Sequence, residues 1–289
     1  MALTFVHIVL NLAALLLWLN WLLVSRETPS LTPANSLVST LRKAGSKGIG
    51  RWKFLAGMAL LILLRAVAYW QIGPMLKWTP RLEWGVINLT FGVDDLFQMV
   101  IFSILSFLAV LGVFYLWLLL LSVANKSVPD TDALQKLVRY LFKWLEPWPA
   151  WLKLPLPLFA GGLLWIGLHP LLSLLAVAPP VKSGPQLCEQ AMIVSAGGYL
   201  AWKYLIVSVL ILHLVNSYVH LGNSALWGFV NVTARNLLRP LQWLPAQIGR
   251  VDFLPLIGVA LVFLVTEFIA NPSAWPPALR PWFYRLMAF

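Results

Sequence analysis

The chain is 289 residues long, 60% hydrophobic and only 11% charged, with 16 tryptophans and a positive mean hydropathy. A water-soluble surface cannot be built from that composition, so the sequence reads as an integral membrane protein. Its formal charge of +11 sits beside apolar runs and not on a separate basic domain, which points to an anionic lipid surface and not to nucleic acid.

A bilayer core about 30 Å thick takes about 20 apolar residues in a helix. Six runs meet or approach that length, at about 2–24, 53–72, 96–123, 154–177, 197–221 and 253–270. None alternates with the two-residue period of barrel strands. The expected fold is therefore an all-α membrane protein of six transmembrane helices, arranged as three helical hairpins. No Lys or Arg precedes Arg26, so the first run lacks the charged start of a secretory signal and reads as a retained helix.

Lys and Arg concentrate in alternate connectors. Fourteen lie after the first, third and fifth runs: Arg26, Arg42, Lys43, Lys47, Arg51 and Lys53; then Lys126, Lys136, Arg139, Lys143 and Lys153; then Arg235, Arg239 and Arg250. The other loops and the tail hold only Lys77, Arg81, Lys182, Arg280 and Arg285. Cytoplasmic loops retain such an excess, so both termini are expected on the non-cytoplasmic side. The membrane expected is a bacterial-type inner one, cytoplasmic or energy-transducing.

The connectors have a pattern of their own. From Asp130 to Pro147, Leu134, Leu137, Val138, Leu141, Phe142 and Leu145 recur at helical spacing, with Gln135, Lys136, Arg139 and Lys143 largely opposite. Asp130 or Thr131 would cap this helix and Pro147 would end it. A second such helix is expected from about Ala225 to Arg239, with Trp227, Phe229, Val230, Leu237 and Leu238 as apolar anchors. Both suit an interfacial position on the bilayer. The first connector, around Ser39 to Gly50, is plainer and contains Gly in place of prolines.

A shift of 98 residues lays the run from 96 to 123 over that from 194 to 221, and places Asn125 on Asn223, Pro147 on Pro245, Pro157 on Pro255 and Leu158 on Leu256. The chain thus divides into a degenerate first hairpin at 1–95, a second at 96–193 and a third at 194–289 with its C-terminal tail. An offset of 104 aligns Phe54-Leu-Ala-Gly with Leu158-Phe-Ala-Gly, which gives the first copy. Pro147 and Pro245 stop one helix, while Pro157 and Pro255 fit the first turn of the next. Trp144, Trp148, Trp151, Trp243, Trp275 and Trp282 cluster near these borders, as headgroup-level aromatics do.

Within the third copy, Arg239-Pro240, Pro245, Gly249, Val251-Asp252 and Pro255-Leu256 fall at the spacing of a known signature. This segment resembles the motif of the YggT family of small membrane proteins, also called YlmG. Leu254 stands where that family commonly has Ser, and Gln242-Trp243 replace a typically basic pair. Copy two keeps the prolines but has Leu154 at the Asp position. The resemblance implies a non-enzymatic scaffold, or an accessory or assembly subunit of a larger membrane complex, whose partners are other integral membrane proteins. In chloroplast relatives it extends to haem attachment to a b-type cytochrome. Asp252 reads as a helix cap or, functionally, as a docking group beside Arg239.

Polar groups inside spans are costly, so each is a candidate site. His213, Asn216 and His220 share one face of the fifth span. A seven-residue gap sets the two histidines about 10.5 Å apart along the axis, too far to hold one metal together, so a site there needs His169 or His7. They support an alternative function, cofactor handling of haem or metal or small-solute transport, against the plainer reading of hydrogen bonds between helices. Asn11 and Asn20 have that plainer reading too. Arg65 is expected to pair with an acid or to reach for the interface. Asp94-Asp95 reads as a cap for the third span. The ten acids form no catalytic constellation, no hydrolase, zincin or nucleotide-binding motif occurs, and Cys188 is the single cysteine. No enzyme activity, metal or cofactor is expected.

Overall fold

The computed structural model describes residues 2–25, 50–76, 78–84, 87–126, 128, 133–142, 145–181, 183–219, 224–248 and 251–270. Several expected features lie outside these residues: most of the first connector, the caps at Asp130 and Thr131, Lys143, Trp144, Lys182, His220, Gly249, Arg250, Trp275 and Trp282.

The chain is a mostly helical membrane protein. Among the described residues five segments are long and apolar enough to cross a bilayer: Leu3–Leu23, Trp52–Ile72, Leu96–Ala124, Ala150–Leu174 and Gly184–Tyr218. The sixth expected span is a 17-residue apolar helix, Leu254–Ala270, about 25 Å long at the helical rise. Large apolar side chains such as Phe5, Leu64, Leu163 and Leu264 are exposed. In hydrocarbon that exposure costs nothing, whereas every backbone group must be bonded internally, and helices achieve this within one segment.

The chain clusters into two compact units, Met1–Glu83 with Asn88–Gly112, and Trp84–Ile87 with Val113–Phe289. In the first, α1 (Ala2–Ser25) packs on α2 (Trp52–Ile72). Ala14, Ile62 and Phe107 are buried at their common core, ringed by Trp18, Met58, Leu61 and Leu111. The small Ala14 side chain permits the close approach that drives association when lipid is as apolar as the helices. Two short strands, β1 (Arg81–Trp84) and β2 (Ile87–Thr90), pair in a small sheet that the helical reading did not anticipate. Leu82 and Leu89 are buried and Phe91, just after β2, packs on Phe102 at 5.3 Å. α3 (Leu96–Ala124) then starts with the backbone N–H of Phe97 donating to Asp95 Oδ1 at 2.9 Å, the capping role expected of this acid pair.

In the second unit, α4 (Ala133–Leu141) and the short α5 (Ala150–Lys153) lead into α6 (Leu156–Leu174). Pro157 is the second residue of α6, where its missing N–H breaks no helical bond. Two residues past the end of α6 lies Ala176, whose φ of 54° is left-handed. Its N–H donates to Ser173 O, and those of Val177 and Ala178 to Leu172 O, satisfying carbonyls the helix end leaves open. α7 (Gly184–Gly198) fills a segment read as connector. It packs along α6, where a Cβ on Gly161 would fall 2.9 Å from Ser195 Cβ. A 3-10 turn, Tyr199–Ala201, continues it into α8 (Trp202–Tyr218).

α9 (Ala225–Leu238) is the expected third-connector helix, and it ends in a 3-10 turn, Arg239–Leu241. It does not stand apart from the span helices. Ala234 and Leu238 of α9 join Val209 and Leu210 of α8 in one core, with Leu254 and Val259 of α10 (Leu254–Ala270) packed against it. Two two-residue strands, β3 (Gln247–Ile248) and β4 (Val251–Asp252), pair antiparallel just before α10. The chain between α9 and α10 thus holds a short antiparallel pairing just before it enters α10.

Candidate functional site

Two polar clusters stand out, one in each unit. The first is centred on Arg65 of α2, which is only 2% exposed. Its Nε donates to Ser103 Oγ at 3.1 Å, its Nη2 to Ser103 O, and its Nη1 to Asn11 Oδ1. These acceptors are neutral, so the expectation that Arg65 would meet an acid or reach for the interface gives way to a guanidinium held among amide and hydroxyl groups.

Because Asn11 Oδ1 serves Arg65, its amide nitrogen faces the other way, to Ser106 Oγ at 2.9 Å and His7 Nε2 at 3.1 Å. His7 Nε2 also lies 2.8 Å from Ser106 Oγ. An Nε2 that faces an amide N–H must accept, which assigns the imidazole proton to Nδ1, where it meets Tyr69 Oη at 3.2 Å. Three helices thus supply one continuous chain of bonds. Asn11 does what was expected of it, bonding between helices, whereas Asn20 bonds back to Leu16 O of its own turn.

Aromatic rings close around this chain. Phe102 stacks on His7 at 5.4 Å, and Trp78 meets Tyr69 edge-on at 5.0 Å and Phe102 at 5.9 Å. No sequence reading assembled this cluster, because His7, Asn11, Arg65, Ser103 and Ser106 are spread over three spans. The one signal available was the spacing of His7 with Asn11 and of Arg65 with Tyr69, each pair four apart on one helix face.

The second cluster lies in the connectors. Asn125, one residue beyond α3, is buried and donates through Nδ2 to Thr233 Oγ1 at 2.8 Å. Its Oδ1 accepts from Asn236 Nδ2 at 3.0 Å, and its backbone carbonyl from Gln135 Nε2 at 3.3 Å. One residue therefore joins α3, α4 and α9. Gln135 is fully buried, which corrects its expected place on the polar face of α4: the helix buries that position against neighbouring protein.

Nearby, Glu146 collects the cations. Its Oε1 lies 3.3 Å from Arg139 Nε, and its Oε2 lies 3.8 Å from Lys153 Nζ and accepts from Ser122 Oγ at 3.2 Å. Lys153, 3% exposed, also donates to Glu146 O and Ser122 Oγ. Two of the cations counted for orientation are thus bound inside the fold. The missed signal was that Glu146 is the one acid between Asp132 and Glu189.

Of the residues singled out in the third copy, Arg239, Pro240, Pro245 and Asp252 are exposed and Pro255 is buried. Arg239 and Pro240 form the 3-10 turn that closes α9. Asp252 Oδ1 accepts the N–H of Leu254, the first residue of α10, so it does serve as the cap. Pro255 follows in the first turn, as Pro157 does in α6. Gly249 lies outside the described residues, as does His220. His213 Nδ1 is 2.8 Å from Asn231 Oδ1 of α9, an interhelical hydrogen bond. His169 is buried on α6 beside Trp165. Among the described residues no three His, Cys, Asp or Glu side chains gather as a metal set.

Comparison of the chain with family models, curated proteins and solved structures gives no match.

Proposed function

We propose that this protein is a non-enzymatic scaffold, or an accessory or assembly subunit of a larger membrane complex, of the YggT type. The observation that carries the reading is the Asn125 junction. It fixes α4 and α9 to the end of α3 through Thr233, Asn236 and Gln135. Helices that only rested on the lipid surface would need no such bonds.

The connectors so held leave Lys136, Arg235, Arg239 and Trp243 exposed, Trp243 to 78%. A rigid surface of cations and an exposed aromatic is what an anionic leaflet and the polar flank of a membrane protein bind. In this reading the chain has six spans in three hairpins in a bacterial-type inner membrane, with these connectors cytoplasmic and both termini outside. The α1–α2 and α8–α10 packing supports the first and third hairpins. The repeat draws support from α6 and α10, which start 98 residues apart at Leu156 and Leu254, each with Pro second.

The other reading, cofactor or solute handling on the His213 face, has less behind it, since the ring nitrogen nearest α9 bonds to Asn231. Affinity purification of the tagged protein from native membranes in mild detergent tests the scaffold. A membrane protein enriched over controls, and reduced in an Arg235→Gln/Arg239→Gln variant, is the expected result. Purification of the chain alone would overturn it.

A further inference from the structure

α6 has 19 residues, about 28 Å at the helical rise, which matches a hydrocarbon core about 30 Å thick. α7 packs back along it, and just past the end of α7 the Tyr199 hydroxyl donates to Leu154 O, at the start of α6. The α6–α7 pair has therefore crossed such a core by the Tyr199–Ala201 turn. The helical run does not stop there. Backbone angles stay in the right-handed region at Gly198, Ala201 and Trp202, and α7, the turn and α8 form one apolar run of 35 residues, about 52 Å long. Beyond the turn, α8 carries exposed Ile211, Leu212 and Val215, which belong in hydrocarbon.

A run longer than the core is accommodated by tilting as a whole or by bending. Tilting is disfavoured, because the two halves are packed on different partners, α7 on α6 and α8 on α9 and α10. Between them lies the weakest stretch of the run. A 3-10 turn has poorer hydrogen bonds than an α-helix, and Gly197 and Gly198 just before it hold a helix less firmly than any residue but proline. The turn is also fixed from outside: Trp117 Nε1 donates to Ala201 O at 2.9 Å, and Trp202 Nε1 donates to Leu116 O at 3.0 Å. Two reciprocal indole bonds thus hold the start of α8 against α3. We propose that the Tyr199–Ala201 turn is a hinge at which α8 bends away from α7 by an angle set by bilayer thickness, more in a thin membrane and less in a thick one. The indole pair keeps the bend at this point, and α6–α7 moves as one body. The hinge answers to the acyl-chain length of the lipid and does not depend on the scaffold function.

The test uses the full chain with Cys188→Ser, spin-labelled at Leu174→Cys and Tyr218→Cys, two exposed positions at the far ends of α6 and α8. It is reconstituted in dimyristoleoyl or dierucoyl phosphatidylcholine, and the distance between labels is read by pulsed dipolar spectroscopy. The distance should be shorter in the short-chain lipid by about 5 Å, the change that a difference in bend of about 30° gives with arms of these lengths. Labels at Phe159→Cys and Met192→Cys, both exposed on the α6–α7 pair, should keep one distance in both lipids. Gly198→Ala places a Cβ 3.8 Å from Leu116 Cδ1, an ordinary contact. It stiffens the approach to the turn and should cut the shift to about half, since alanine holds a helix better than glycine. An equal 174–218 distance in both lipids, a change that the 159–192 pair shares, or a shift that Gly198→Ala leaves whole would overturn the hinge.

Discussion

Asn125 Nδ2 donates to Thr233 Oγ1 at 2.8 Å across 108 residues of sequence, and through that bond the end of α3 and the middle of α9 are one structure. Both residues are buried, so the bond has no water to replace it. Asn125→Ala removes it together with the bond from Asn236, leaving two polar side chains short of a partner. The expected loss is about 1–3 kcal/mol, read as a lower unfolding temperature in detergent. Thr233→Val on top of Asn125→Ala should cost less than the sum of the two single changes, because the hydroxyl is by then already orphaned. Full additivity would show that the two side chains do not cooperate.

Glu146 holds Arg139 and Lys153 together, and Lys153 is nearly sealed from solvent. Glu146→Gln keeps the shape but withdraws the charge that matches the buried ammonium. With the carboxylate itself 29% exposed, the cost should fall below that of a fully buried pair, at about 1–3 kcal/mol. Glu146→Gln/Lys153→Met, which removes both charges, should recover much of that loss in the same unfolding measurement.

Much of the fold is readable from hydropathy. The six apolar runs meet α1, α2, α3, α6, α8 and α10 to within a few residues, because a lipid-facing helix is apolar on every side and needs no partner to be recognised. α7 escaped for the opposite reason. Its Gln186, Glu189 and Gln190 interrupt the run, and only the Ser183-Gly184-Pro185 start marks a helix. β1 and β2 were legible in principle, since Leu82 and Trp84, then Ile87 and Leu89, alternate on either side of Gly85 in the sequence. The Arg65 cluster was not: which of three helix faces meet is decided by packing, and no single helix carries the pattern. The burial of Gln135 is of the same kind, since amphipathic spacing marks an apolar face but not what covers the rest of the helix.

The contact between α6 and α7 leaves no room at Gly161, where a Cβ would lie 2.9 Å from Ser195 Cβ and 3.4 Å from its Cα. Gly161→Leu should force the pair apart at about 1–3 kcal/mol or more. Gly167, where an added Cβ would meet nothing within 4 Å, is the control. Gly167→Ala should be neutral or stabilising by about 0.5–1 kcal/mol, since alanine loses less backbone freedom in a helix. A matched pair of unfolding curves checks both.

Ala176 is left-handed at the end of α6, with φ 54°. Alanine pays about 1–2 kcal/mol there through its Cβ, and glycine does not. Ala176→Gly should therefore raise the unfolding temperature, although glycine elsewhere lowers it. A fall would mean that the turn after α6 takes another conformation in the bilayer.

The scaffold reading stands or falls at the exposed connector surface of the second unit. A photoreactive amino acid at Trp243, 78% exposed, is irradiated in native membranes, with a second at Phe159, exposed on the apolar span α6, as the lipid-facing comparison. The account predicts a discrete protein adduct from position 243, weakened when Arg235 and Arg239 are changed to Gln, and lipid adducts alone from position 159. Lipid adducts alone from both positions would contradict it.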